Sequence, residues 1–130
     1  MYSDVIIDHN NHPFNDGELA NPDIESILEN ASCGDTLRIQ LTIRNETIVA
    51  GKFTGTGCAI SRAAADIILD EIVGKSKKEA KALLKNYRAM ILGKKYSKEQ
   101  IGNLVALQDI AKMPARTKCA LLPYQIIDKF

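Results

Sequence analysis

Leu37-Arg38-Ile39-Gln40-Leu41-Thr42-Ile43-Arg44-Asn45-Glu46-Thr47-Ile48-Val49-Ala50-Gly51-Lys52-Phe53 reads as a β-hairpin. From Leu37 to Ile43 apolar and polar residues alternate. Leu37, Ile39, Leu41 and Ile43 fall on one side, and Arg38, Gln40 and Thr42 on the other. A period of two marks a half-buried strand. Arg44-Asn45-Glu46-Thr47 reads as a turn and Ile48 to Phe53 as a second strand, so the two pair antiparallel.

Upstream, Val5, Ile6 and Ile7 predict a first helix ending near His12-Pro13, and Asn15-Asp16-Gly17 is turn chemistry. The segment Ile24 to Leu28 fits a strand or a helix equally well. Downstream of Cys58 the period becomes helical. Ile60, Ala64, Ile67, Ile68 and Ile72 share an apolar face, with Arg62, Asp66 and Asp70 on another, and Gly74 is the stop. Ser76-Lys77-Lys78-Glu79 has capping-box spacing and opens a helix with Ala80, Leu83, Leu84, Tyr87 and Ile91 as its stripe. Ser97-Lys98-Glu99-Gln100 repeats that signal before Ile101, Leu104, Val105 and Leu107. A last helix is expected within 115–130, kinked or starting late at Pro123. Strands first and helices after predict an α+β fold: a small antiparallel sheet of about three strands with helices on one face.

A chain of 130 residues fits one domain spanning 1–130. Hydrophobic residues make up 45% and the net charge is +1, which argues against a nucleic-acid or membrane-surface binder. Apolar runs are too short to span a bilayer, and the N-terminal residues lack a signal-peptide pattern. A reducing cytoplasmic setting is the expectation, and there thiols persist.

In that setting the three cysteines matter. Cys33 lies in Ala-Ser-Cys-Gly-Asp, two residues before Asp35. Cys58 lies in Gly-Thr-Gly-Cys-Ala-Ile-Ser-Arg, and Cys119 in Pro-Ala-Arg-Thr-Lys-Cys-Ala. An odd count argues against a disulfide framework, whereas three sulfurs and one carboxylate make the four donors zinc takes. Gly34 lets the backbone bend between Cys33 and Asp35. The start of a helix at Cys58, and Arg116 and Lys118 before Cys119, favour thiolates. The separations are too long for a zinc finger, so tertiary structure has to gather the donors. The competing reading is three buried cysteines acting as small apolar side chains. Other motifs fail: Ile60 stands where a dinucleotide fingerprint needs a third glycine, and Leu69 where a phosphate loop needs one. His9 and His12 could bind a metal, but read better as surface or helix-end residues. Lys75, Lys77, Lys78, Lys81 and Lys85 read as a solvated face.

Cys-Gly-Asp, Gly-Cys-Ala-Ile-Ser-Arg-Ala and Pro-Ala-Arg-Thr-Lys-Cys-Ala, in this order, resemble the signature segments of IscU/SufU/NifU-type iron–sulfur cluster assembly proteins. Asp8-His9, Gly93-Lys94-Lys95-Tyr96 and Leu104-Val105-Ala106-Leu107-Gln108-Asp109-Ile110 extend the resemblance over nearly the whole chain. The chain is similar to the SufU branch. Lys118 stands where the IscU branch has a histidine, and Lys112-Met113-Pro114-Ala115-Arg116 replaces that branch's chaperone-read segment. The long gap before Cys119, with an extra helical segment at about 87–106, also resembles SufU. The resemblance implies zinc held by Cys33, Asp35, Cys58 and Cys119. It also implies persulfide sulfur received from a SufS-type cysteine desulfurase and passed to a downstream scaffold or acceptor; the Gly-flanked loop of Cys33 makes that thiolate the expected acceptor, with Cys58 and Cys119 keeping the metal. That is a zinc-dependent sulfurtransferase, with no nucleic acid or membrane partner. The alternative is a scaffold on which iron, or a [2Fe–2S] cluster, is assembled. A third reading is a metal-stabilised interaction module without transfer chemistry.

Overall fold

The computed structural model describes residues 3–31 and 34–130. Its elements run α1 (Asp4–Asn11), β1 (Ile24–Asn30), β2 (Asp35–Arg44), β3 (Thr47–Thr56), α2 (Ala59–Ile72), α3 (Lys77–Ile91) and α4 (Thr117–Leu121). Short 3-10 segments occupy Lys98–Gln100, Gly102–Lys112, Pro114–Arg116 and Pro123–Lys129. The strands form one antiparallel sheet in the order β1-β2-β3. This is the α+β architecture expected from the sequence.

The hairpin forms as its alternation demands. Leu37, Ile39 and Leu41 are fully buried, and Ile39 pairs with Phe53. Asn45 and Glu46 both take positive φ, 52° and 65°, the two-residue turn whose twist matches the strands it joins. Ile24 to Leu28 is a strand, β1, fixed by its register against β2. Its period is obscured because Ile27, 56% exposed, sits on the outer face. That face is crossed by the chain before β1: the Leu19 amide donates to Gln40 Oε1 at 2.7 Å. Gln40 is therefore buried although its position in the alternation faces outward.

α2 packs its apolar face into the core and is covered on its other side by α1, which inserts Ile6. The sequence reading groups Asp66 with Arg62 and Asp70, away from the apolar face. In the structure it is fully buried, because α1 and the turn after it lie over that side. Gly74 ends the segment with φ +96°, and the capping box at Ser76 forms with Glu79 in both directions. Hydrogen bonding to Ser76, backbone first, holds the Glu79 carboxyl below its ordinary value.

The second capping signal does not open an α-helix. The Ser97 amide donates to Asn86 Oδ1 at 3.0 Å, and Gln100 Oε1 accepts from Asn86 Nδ2 at 2.6 Å. Asn86 of α3 thus takes both groups a capping box would join. Gly102, with φ +53°, then turns the chain where a Cβ would meet the Glu71 carboxylate, and the following segment winds as a 3-10 helix. The last helix, expected over much of 115–130 with a kink or late start at Pro123, is shorter: α4 ends at Leu121 and a 3-10 segment starts on the proline, whose ring and missing amide stop the α-helix. Among the described residues, no helix is long and apolar enough to cross a membrane.

Candidate metal centre

Asp35 is the first residue of β2 and shares its inward face with Leu37 and Ile39. The alternation that buries those side chains therefore also turns the Asp35 carboxylate inward, where it is 1% exposed. There it meets the start of α2. Cys58 is the N-cap residue of that helix, and its amide donates to Asp35 Oδ1 at 2.8 Å. A carboxylate on an open helix amide is favoured both by hydrogen bonding and by the positive helix end. The other oxygen, Oδ2, lies 4.0 Å from Cys58 Sγ. One oxygen is thus engaged by the backbone and the other faces sulfur.

Two glycines make this approach possible. Gly55, φ +133°, lies against β2 so closely that a Cβ would sit 2.0 Å from the Thr36 carbonyl oxygen. A Cβ on Gly57 would come within 2.6 Å of Ser61 Oγ and 2.8 Å of Asp35 Oδ1. Arg62 fastens the same loop, donating to the Gly55 carbonyl at 2.8 Å and to Asn10 Oδ1 at 3.2 Å.

Cys119 comes from α4 and is fully buried. α4 is held by α3: the hydroxyl of Tyr87, itself fully buried, donates to the Ala120 carbonyl at 2.6 Å. Stripping such a carbonyl of its donor costs about 1–3 kcal/mol. Burial pushes the Tyr87 phenol up, which keeps it a donor.

Donor atoms of Asp35, Cys58 and Cys119 all lie within 4.8 Å of one another. In tetrahedral zinc sites, bonds of about 2.0–2.3 Å set neighbouring donors roughly 3.5 Å apart. A closure of about 1 Å would bring this trio to that geometry. Two sulfurs and a carboxylate suit zinc or iron, so the donor set fits the metal that the sequence reading expects. The structure brings these three expected ligands together. The fourth, Cys33, lies outside the described residues. Gly34, the residue between it and Asp35, adopts φ +71°, the bend only glycine takes freely. Arg116 and Lys118 are exposed.

A second group of close titratable side chains, His9, Asp66 and Asp70, is not legible as such in the sequence. His9 Nδ1 is 2.5 Å from Asp66 Oδ2. Asp66 Oδ1 accepts from the Asn15 amide at 2.8 Å and from Asn15 Nδ2 at 3.0 Å, while the same Nδ2 reaches Asp70 Oδ1 at 2.7 Å. The side-chain amide of Asn15 occupies the space between the two carboxylates, so the group is a clasp joining α1 to α2. The available signal was Asp66 and Asp70 one turn apart, with Asp8-His9 upstream. His12 is exposed at the end of α1.

Residues 1–120 match the family described as NifU-like N-terminal domain. The chain is 36% identical over 130 residues to the zinc-dependent sulfurtransferase SufU of Bacillus subtilis, covering 99% of this chain and 88% of the relative. It is 31% identical to the iron–sulfur cluster assembly scaffold protein IscU of Thermotoga maritima, covering 98% and 89%. The crystal structure of FiSufU from Fervidobacterium islandicum superposes with a TM-score of 0.94 at 34% identity, covering 98% of this chain and 94% of that one.

Proposed function

The chain belongs to the NifU-like N-terminal domain family, a family of iron–sulfur cluster assembly proteins, and on that premise we propose that it is a zinc-binding sulfur acceptor served by a SufS-type cysteine desulfurase. What supports the reading is the convergence of the Asp35 carboxylate with the Cys58 and Cys119 sulfurs, contributed by three elements remote in sequence. The similarity to a relative named for zinc-dependent sulfur transfer points the same way.

Zinc, when held by Cys33, Asp35, Cys58 and Cys119, keeps the sulfurs deprotonated at neutral pH. Cys58 and Cys119 serve as anchors, one at a helix start fastened by Asp35 and Arg62, the other buried on a helix fastened by Tyr87. Asp35 stays oriented because the Cys58 amide holds its Oδ1. Cys33 is the acceptor. Its thiolate attacks the outer sulfur of the donor's persulfide, the donor's S–S bond breaks, and the donor leaves as a thiolate. Cys33 then carries the sulfur as a persulfide, and a downstream scaffold or acceptor receives it. No oxidant or reductant is consumed.

Incubation with a cysteine desulfurase and cysteine, followed by mass spectrometry, tests the assignment. Persulfide is expected on Cys33, and Cys33→Ser is expected to accept none. Sulfur on Cys58, with a fully active Cys33→Ser variant, would contradict it. The scaffold reading draws support from the similarity to a relative named as a scaffold. It calls for a brown, sulfide-containing protein, where the sulfur-acceptor reading calls for colourless protein with one zinc.

A further inference from the structure

Ser61 is fully buried in the first turn of α2, yet its hydroxyl is not required by the helix. It donates to the Cys58 carbonyl at 3.1 Å. That carbonyl already accepts the Arg62 amide at 3.2 Å, the ordinary bond of the first turn. Cys58 Sγ lies 3.8 Å from Ser61 Oγ, with the thiol as donor and the hydroxyl oxygen as acceptor. The space that lets Oγ sit there is the missing side chain of Gly57. With the sulfur protonated, its one proton faces Ser61 Oγ at 3.8 Å and Asp35 Oδ2 at 4.0 Å, and the hydroxyl turns to the carbonyl. A metal-bound sulfur has no proton to give and becomes an acceptor.

We propose that Ser61 is a positioning residue whose hydroxyl turns from the Cys58 carbonyl to the Cys58 sulfur when that sulfur is bound to metal. This rests on the metal reading above. The hydrogen bond stabilises the negative charge on the metal-bound sulfur and fixes its direction, so Ser61 strengthens the hold of Cys58 on the ion. Partners of this kind, one bond removed from the metal, commonly change metal affinity by about 10–100-fold when removed.

The test compares native protein, Ser61→Ala and Ser61→Thr, each loaded with cobalt(II) and, separately, with zinc. Alanine is a strong helix former and leaves the Arg62 bond intact, and far-UV circular dichroism checks that each variant is folded. In Ser61→Ala the sulfur-to-cobalt charge-transfer band is expected at lower energy. Chelator competition should show zinc held about tenfold more weakly. Ser61→Thr, which keeps the hydroxyl, is expected to behave as the native protein. Coincident bands and equal zinc affinity in native and Ser61→Ala would overturn the proposal while leaving the metal reading standing. A threonine variant indistinguishable from alanine would overturn it too, because the hydroxyl would not be the cause. Native protein that takes up neither cobalt nor zinc would overturn the metal reading and, with it, this one.

Discussion

Cys58→Ala and Cys119→Ala are each expected to abolish tight zinc binding and to lower the thermal midpoint far more than Cys33→Ala. Structural zinc contributes about 10–16 kcal/mol to folding in small peptides, so losing one anchor forfeits several kcal/mol of the holoprotein's stability. The two anchors sit in the fabric of the fold. Cys58 begins α2 beside the Asp35 carboxylate, and Cys119 is fully buried on α4. Melting each protein with and without a chelator separates metal from packing. With chelator, Cys58→Ala should melt close to the native chain. Cys119→Ala should stay lower by about 1 kcal/mol, the cost of the small cavity left by the sulfur. A native chain whose melting ignores the chelator would remove metal from the account of stability.

Asp66→Ala is the second large effect, and it acts outside the Asp35, Cys58 and Cys119 group. Asp66 is a fully buried carboxylate that receives His9 and two donors of Asn15. Removing it strands the hydrogen-bonding groups that face it, at about 1–3 kcal/mol for each that stays buried. Asp70→Ala is the control. Asp70 is exposed and takes only the outer contact from Asn15, worth about 0.5–1.5 kcal/mol. Urea unfolding of the two variants measures the difference. Equal losses would mean that the clasp is not what holds α1 to α2.

The fold was legible where local chemistry and tertiary packing agree. Leu37 to Ile43 alternates because one face is core, and Ser76 with Glu79 caps a helix that nothing contests. The sequence misleads where another element intervenes. Ser97 carries the same local signal as Ser76, but Asn86 takes its amide and the Gln100 side-chain oxygen. Asp66 occupies a polar position on its own helix and is buried by a different one. Ile27 blurs the period of β1, which only its pairing with β2 resolves. The break before 102–112 lies where Gly102, at positive φ, passes against Glu71, a contact remote in sequence. The grouping of Asp35 and Cys58 was legible for the opposite reason: a cysteine and an aspartate in polar, glycine-flanked settings are chemically conspicuous before any geometry is known, whereas Cys119, ahead of an apolar segment, was conspicuous only as a third sulfur. Ser61 and Tyr87 were not, because a serine and a tyrosine on an apolar helix look like ordinary packing. Their roles appear only in where the hydroxyls point.

We propose that the Asp35 carboxylate and the sulfurs of Cys33, Cys58 and Cys119 hold a single ion. Zinc-edge X-ray absorption on the zinc-loaded chain tests it most directly. Three sulfur neighbours at about 2.3 Å and one oxygen at about 2.0–2.2 Å are the expected shell. A shell of nitrogen and oxygen alone, without sulfur, would contradict it.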